Sequence, residues 1–160
     1  MKFTAQEEYG LRCLLQIGRQ GAGGSLTIPE IALADGLSIP YVAKLMRLLR
    51  RGGFVTSTRG QTGGYTLARS AGKIVVGEVL GSLGGRFFAS EFCDRHAGSA
   101  DTCLHTFDCS IRPLWSAVQH VVDEVLDKTT LQNLIGGEQA PSFQPASLIQ
   151  IERETTAAPA

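Results

Sequence analysis

The sequence lacks the segments that would carry it into or across a membrane. Its 160 residues contain no apolar run approaching the roughly 20 residues that a membrane helix needs. The start, MKFTAQEEYG, has no apolar signal core, so we expect a soluble, cytoplasmic protein. Charged residues make up 19% of the chain, too few for a simple coiled coil. Paired catalytic carboxylates, a nucleophile triad and a phosphate loop are also missing, so we do not expect an enzyme.

Acidic residues are absent from one long stretch of the N-terminal half. None occurs between Asp35 and Glu78, although that interval holds seven lysines and arginines. Residues 1–75 carry ten basic and four acidic side chains, a net charge of +6, and residues 76–160 carry five and eleven, a net charge of −6. A local positive field attracts polyanions by displacing their counterions. A solvated face on a bipolar protein is the alternative that charge alone leaves open.

Capping residues and glycines predict two helices at the start of the chain. The first covers residues 4–20, with apolar side chains at helical spacing, and ends at a run of glycines. The second begins after Thr27, where Glu30 can close a capping box, and stops at Gly36.

A third helix is predicted to begin after Ser38, which opens it in a similar way, and to end at Gly52. Its apolar positions point inward, and its exposed side is basic. Two helices joined by a short turn, the second with such a face, indicate a helix-turn-helix. The residues of that face are Tyr41, Lys44, Arg47 and Arg51.

A predicted β-hairpin follows the third helix directly. Residues 54–58 and 65–68 are β-type runs on either side of a glycine-rich tip that carries Arg59 and Gly60. In this position the hairpin predicts the wing of a winged helix, with Arg59 over the minor groove of DNA. An ordinary surface hairpin with a solvated arginine is the alternative. The predicted fold class is mainly α with a small β-hairpin wing.

The C-terminal half is predicted to contain a short helix over residues 74–83, an irregular stretch and a long helix of about 18 residues from Ile111. The apolar stripe of the long helix suits packing against a second chain or within one chain. Its acidic residues, among them Asp123 and Asp127, are expected on the outer side. The predicted organisation is a winged helix at 1–83, a cysteine-containing loop at 84–110, a dimerisation helix region at 111–135 and a flexible tail at 136–160.

Three of the four cysteines, Cys93, Cys103 and Cys109, lie in this loop. In a reducing compartment such clustering indicates a metal or redox site rather than structural disulfides. Three thiolates can hold an iron–sulfur cluster when a fourth ligand completes the set. Zinc held by the three cysteines and His105 is an alternative, as is a metal-free switch in which Cys103 and Cys109 form a reversible disulfide. His96 is a rival ligand, and Cys13 is expected in the core.

These residues resemble the Rrf2 family of bacterial winged-helix transcription regulators over positions 1–135. The most specific part of the resemblance is the wing RGQTGGYTLAR at 59–69. It implies a homodimer on palindromic operator DNA, with the long C-terminal helices crossing at the dimer interface. We therefore expect a DNA-binding repressor whose recognition helix presents Tyr41, Lys44 and Arg47, with Ser38 on a phosphate at its start and the wing tip, Arg59 and Gly60, in the minor groove.

In members with a cysteine loop the family implies an iron–sulfur cluster as sensor. The Cys103-x5-Cys109 spacing matches the family, whereas Cys93-x9-Cys103 is four residues longer than usual. The histidine of the IscR type is replaced here by Arg112, so the chain is more similar to the NsrR type. In that type an acidic residue of the partner subunit's first helix is the fourth ligand, and Glu8 stands at the matching place. A solvated first-turn glutamate is the alternative for Glu8.

The expected cofactor is a 4Fe–4S cluster, with a 2Fe–2S cluster as the alternative, reporting nitric oxide, redox state or iron–sulfur status. A small iron–sulfur redox protein without DNA affinity is the competing hypothesis. A winged-helix module with a structural zinc is a third.

Overall fold

A computed structural model describes residues 3–58, 63–85, 92, 103, 105 and 108–137. The elements follow one another along the chain as α1 (Ala5–Gly18), α2 (Ile28–Asp35), α3 (Ile39–Arg51), β1 (Val55–Thr58), β2 (Gly64–Leu67), α4 (Val76–Leu83), α5 (Arg112–Asp127) and α6 (Leu131–Gly136). A short 3-10 helix, Ala71–Lys73, precedes α4. The predicted helix-turn-helix and hairpin are confirmed. The predicted cysteine loop, apart from residues 84, 85, 92, 103, 105 and 108–110, and the tail from 138 lie outside the described residues.

Helix α1 begins with a complete capping box. The backbone N–H and the hydroxyl of Thr4 donate to Glu7 Oε2 at 2.6 and 2.8 Å, and the Glu7 N–H donates to Thr4 Oγ1 at 3.3 Å. These bonds satisfy donors that a helix N-terminus otherwise leaves unpaired. They also explain why Glu7, a carboxylate, is only 6% exposed.

Helices α2 and α3 form the predicted helix-turn-helix. The expected capping box at Thr27 and Glu30 is present, and its hydrogen bonds from the Thr27 N–H and hydroxyl lower the pKa of Glu30. Gly36 ends α2 with φ +64°, a left-handed conformation that glycine adopts without a Cβ penalty. Ser38 occupies the N-cap of α3, which confirms the predicted start of the helix, but unlike Thr27 it makes no side-chain cap hydrogen bond.

Strands β1 and β2 pair antiparallel as a two-stranded hairpin, in the register Val55 to Leu67 and Thr58 to Gly64. Val55 is buried, whereas the next three residues of β1 are exposed. The hairpin is thus fixed at its base and projects outward. A bridge between Leu26 and Tyr65 ties it to the segment before α2.

One hydrophobic core joins α1, α3, β1 and α4 to α6. The participation of α6 was not expected. Its residue Leu131 is fully buried in that core. The Val76 N–H donates to the Thr129 carbonyl and the Leu131 N–H to the Ile74 carbonyl, each at 2.9 Å. The chain after α5 therefore returns to the winged helix. The fully buried side chains include Leu14, Ile31, Val42, Leu45, Met46, Leu49, Ile74, Val79 and Leu131.

Helix α5 packs against α4 along one side only. Gln119, Asp123 and Asp127 of α5 line a cavity of about 230 Å³ together with residues of α4. Asp127 is exposed, as predicted, whereas Asp123 is half-buried, so the prediction that it lies on the outer side is wrong. Within the described residues, no helix is long and apolar enough to cross a bilayer.

Candidate nucleic-acid interface and cysteine loop

The predicted recognition helix α3 has two chemically distinct sides. Val42, Leu45 and Leu49 are fully buried, whereas Lys44 and Arg47 are exposed. The helix contains no acidic residue. Its solvent side is therefore positively charged, and an α-helix fits into the DNA major groove.

Ser38 lies exposed at the N-terminal end of α3. Its hydroxyl is not committed to capping α3. The end of a helix presents backbone N–H groups and a partial positive charge that favour a phosphate. The geometry suits the predicted phosphate contact of Ser38.

The hairpin is linked to the recognition helix through Arg50. Its Nη1 donates to Ser57 Oγ of β1 at 3.3 Å. The hydroxyls of Thr56 and Thr66 are 3.0 Å apart across the two strands, on an exposed face. The wing is thus placed beside α3, as predicted. Arg59 and Gly60 at its tip lie outside the described residues.

A second contact to the recognition helix comes from α1 and was not anticipated. The rings of Tyr9 and Tyr41 meet edge to face, with centroids 6.1 Å apart. The guanidinium of Arg12 lies over the Tyr9 ring, with Cζ 5.8 Å from the ring centroid. A periodic apolar pattern could show that Tyr9 faces inward, but not that it meets Tyr41.

Glu8, the predicted fourth ligand, lies on the same helix and is engaged with Arg12. Both Nε and Nη2 of Arg12 approach Glu8 Oε1 at 2.7 Å, and the two side chains are 55% and 52% exposed. The hydrogen bond and the charge of Glu8 raise the pKa of Arg12. Within one chain Glu8 is thus a solvent-accessible, ion-paired carboxylate at the start of α1.

The described cysteines differ in burial. Cys13 is fully buried, and burial, reinforced by the charge of Asp35, raises the pKa of its thiol to about 12. This confirms the core position predicted for it. Cys103 and Cys109 are half-buried, and Cys93 lies outside the described residues. A loop with two accessible thiols is compatible with a metal or redox site, whereas Cys13 is not reactive as a thiolate.

The other candidate ligands are dispersed. His105 is exposed, with Nδ1 3.5 Å from Asp108 Oδ1, and Arg112 is the first residue of α5. His96 lies outside the described residues. In the part of the chain that the structure describes, no three His, Cys, Asp or Glu side chains come together as a metal site.

Comparison with known proteins identifies this arrangement. The model of the Rrf2 family, described as an iron-dependent transcriptional regulator, matches residues 3–137. Protein rrf2 of Nitratidesulfovibrio vulgaris is 36% identical over 135 residues, covering 84% of this chain and 87% of that protein.

Two solved structures show the same fold. T. potens IscR is 30% identical with a TM-score of 0.68, covering 87% of this chain and 89% of that one. The oxidized form of Staphylococcus aureus CymR is 29% identical with a TM-score of 0.63, covering 84% and 96%. These relatives are regulators rather than enzymes. The chain is a winged-helix protein that belongs to the Rrf2 family of DNA-binding transcriptional regulators.

Proposed function

We propose that this regulator is a repressor that binds a palindromic operator as a homodimer and responds to nitric oxide, redox state or iron–sulfur status through an iron–sulfur cluster. The observation that carries the DNA part is the exposed, wholly non-acidic side of α3 beside the hairpin. The cluster part is supported by the half-buried Cys103 and Cys109 and by the iron-dependent family.

On DNA, α3 would enter the major groove with Tyr41, Lys44 and Arg47 toward the bases and phosphates. Ser38 would bind a phosphate at the start of the helix, and Arg59 and Gly60 would reach the minor groove. Charge reversal by Arg59→Glu is expected to weaken operator binding strongly. Unchanged binding by this variant would contradict the wing assignment.

The dimer is supported by the outer side of α5. Leu114 is 57% and Trp115 42% exposed on a helix that buries only Gln119. Apolar side chains concentrated on one helix face are typical of a protein–protein contact. We expect Trp115→Glu to yield monomers in sedimentation, whereas His120→Glu, at a polar exposed position of the same helix, leaves a dimer. A dimeric Trp115→Glu protein would contradict this interface.

The available side chains fit an iron–sulfur cluster in their chemistry. Cys93, Cys103 and Cys109 would supply three thiolates and Glu8 of the partner subunit a carboxylate, which is a readily displaced ligand. Such a cluster supplies reactivity toward nitric oxide and oxidants. The chain's own part is to hold the thiols in one loop next to α5, so that a change in the loop reaches the dimer contact. Because dimer half-sites must match the DNA repeat of about 34 Å, altered spacing lowers operator affinity.

The test is an anaerobic absorption spectrum of freshly purified protein, with iron and sulfide analysis and operator binding before and after nitric oxide. We expect visible bands that bleach with nitric oxide, together with a change in operator affinity. Cys103→Ser and Cys109→Ser should lose the bands, and Cys13→Ala, a matched control in the core, should keep them. A colourless protein from an iron-replete anaerobic preparation would contradict the cluster.

Two alternatives for the loop would then be distinguished. A metal-free switch is favoured by the accessibility of Cys103 and Cys109 and by the structural similarity to oxidized CymR. It predicts a Cys103–Cys109 disulfide that mass spectrometry detects after mild oxidation. Zinc bound by the cysteines and His105 predicts stoichiometric zinc without sulfide.

A further inference from the structure

Arg12 of α1 is linked to the recognition helix through the ring of Tyr9. Its guanidinium carbon is 5.8 Å from the centroid of Tyr9, whose ring contacts Tyr41 of the recognition helix at 6.1 Å. Arg12 is therefore separated by one aromatic ring from Tyr41, which lies in the first turn of α3 after the exposed Ser38. More than half of the Arg12 side chain is open to solvent, so the guanidinium can be reached by another molecule.

In the structure the charge of Arg12 is balanced by Glu8. Both Arg12 nitrogens that face Glu8 lie 2.7 Å from the same oxygen, Oε1. Exposed ion pairs of this kind are weak and exchange partners easily. Glu8 thus balances the charge of Arg12, while α3 itself carries no acidic residue.

We propose that Arg12 is a phosphate-binding residue of the DNA interface and that Glu8 masks its charge. The proposal rests on the DNA-binding function of the family. A nearby DNA phosphate would compete with Glu8 for the guanidinium, and any event that draws the carboxylate elsewhere, such as metal coordination, would release the cation. Glu8 thus sets how many positive charges the surface offers to DNA.

The salt dependence of binding to a duplex of random sequence tests this assignment. Each phosphate contact on duplex DNA contributes about −0.9 to the slope of log affinity against log salt. We expect Glu8→Gln to steepen the slope by about that amount, so that the loss of affinity between about 50 and about 200 mM salt grows roughly 3.5-fold. All proteins are the full chain carrying Cys103→Ser and Cys109→Ser, so that Glu8 acts on Arg12 alone and no cluster differs between them.

Two further variants separate Arg12 from a general change in net charge. Glu124→Gln removes the same charge from an exposed position on α5, and its slope should equal that of the parent protein. The double variant Glu8→Gln with Arg12→Gln should also return to the parent slope. A Glu8→Gln slope equal to that of Glu124→Gln, or a double variant that keeps the steep slope, would overturn the proposal.

Circular dichroism and thermal unfolding confirm that each variant remains folded. If neither this parent protein nor the cluster-containing wild type binds DNA at low salt, the proposed function itself is wrong. If the parent protein binds and the slopes do not differ, only the role of Arg12 is wrong.

Discussion

The ring of Tyr9 on α1 meets the ring of Tyr41 on α3 edge to face, at an interplanar angle of 82°. Such pairs contribute about 0.5–1.5 kcal/mol beyond the area they bury. Because Tyr41 lies in the first turn of α3, the contact fixes the N-terminal end of the recognition helix against α1. A movement of α1 is therefore expected to displace the N-terminal end of α3, where this helix would contact DNA.

We predict that Tyr9→Ala lowers affinity for a duplex selected by the wild type from a random pool. The Tyr41 ring loses its support, while Lys44 and Arg47 remain in place. Tyr9→Phe keeps the ring and should bind like the wild type. Fluorescence anisotropy measures the binding, and thermal unfolding checks the fold. Wild-type affinity in a folded Tyr9→Ala protein would show that the ring pair does not position Tyr41.

Cys13 should make stability depend on pH in the alkaline range. Burial raises its pKa from 9.0 to about 12, so the folded state retains a proton that the unfolded state loses. The contribution is fully present below pH 9 and is lost as pH rises from 9 toward about 12. Denaturant midpoints measured from pH 8 upward should fall more steeply for the wild type than for Cys13→Ala. Parallel curves for the two proteins would contradict the assignment.

The same burial predicts selective thiol chemistry. Cys103 and Cys109 should react with iodoacetamide in the native, metal-free protein, because they are half-buried. Cys13 should react only after unfolding. Peptide mass spectrometry locates the modified thiols, and early labelling of Cys13 in the native protein would contradict its place in the core.

Gly36, between α2 and α3, should tolerate substitution poorly. Its φ of +64° is unfavourable for residues with a Cβ, so Gly36→Ala should cost about 1 kcal/mol of unfolding free energy. Asn, which tolerates this conformation better, should cost less. Gly72→Ala is the control, because a Cβ there meets nothing within 4 Å and its φ is not positive. Equal effects at the two positions would contradict the argument.

Leu131→Ala should destabilise the winged helix itself. The side chain is fully buried in the core that holds α1 and α3, so its truncation should cost about 2–5 kcal/mol. Leu134→Ala, at a half-buried position of the same helix, should cost less. Chemical denaturation followed by circular dichroism measures both. A mild effect at Leu131 would mean that α6 is peripheral to the fold.

Local signals in the sequence were sufficient for the helix-turn-helix and the hairpin. The capping box of Thr27 and Glu30 and the left-handed Gly36 depend on residues within a few positions of one another. The amphipathic pattern of α3 likewise predicts that Leu45 is buried and Lys44 exposed without knowledge of the rest of the chain. Thr4 and Glu7 carry the same local signal as Thr27 and Glu30, and it could have located the start of α1.

Long-range contacts could not be predicted in this way. Whether Tyr9 meets Tyr41 depends on how α1 is rotated against α3, and periodicity does not determine that angle. The return of Leu131 to the core depends on hydrogen bonds between segments more than fifty residues apart. The missing side-chain cap bond of Ser38 could not be predicted either, because a serine at an N-cap can bond the helix or leave its hydroxyl to another partner.

The backbone bonds that join Thr129 to Val76 and Leu131 to Ile74 anchor the C-terminal end of α5 to the winged helix. Sixteen residues of helix span about 24 Å, so a swing of about 5° about its anchored end displaces the far end by roughly 2 Å. The reverse also holds. We therefore expect a small shift near Arg112, at the start of α5, to be transmitted along the helix to its anchored end at residues 129–131.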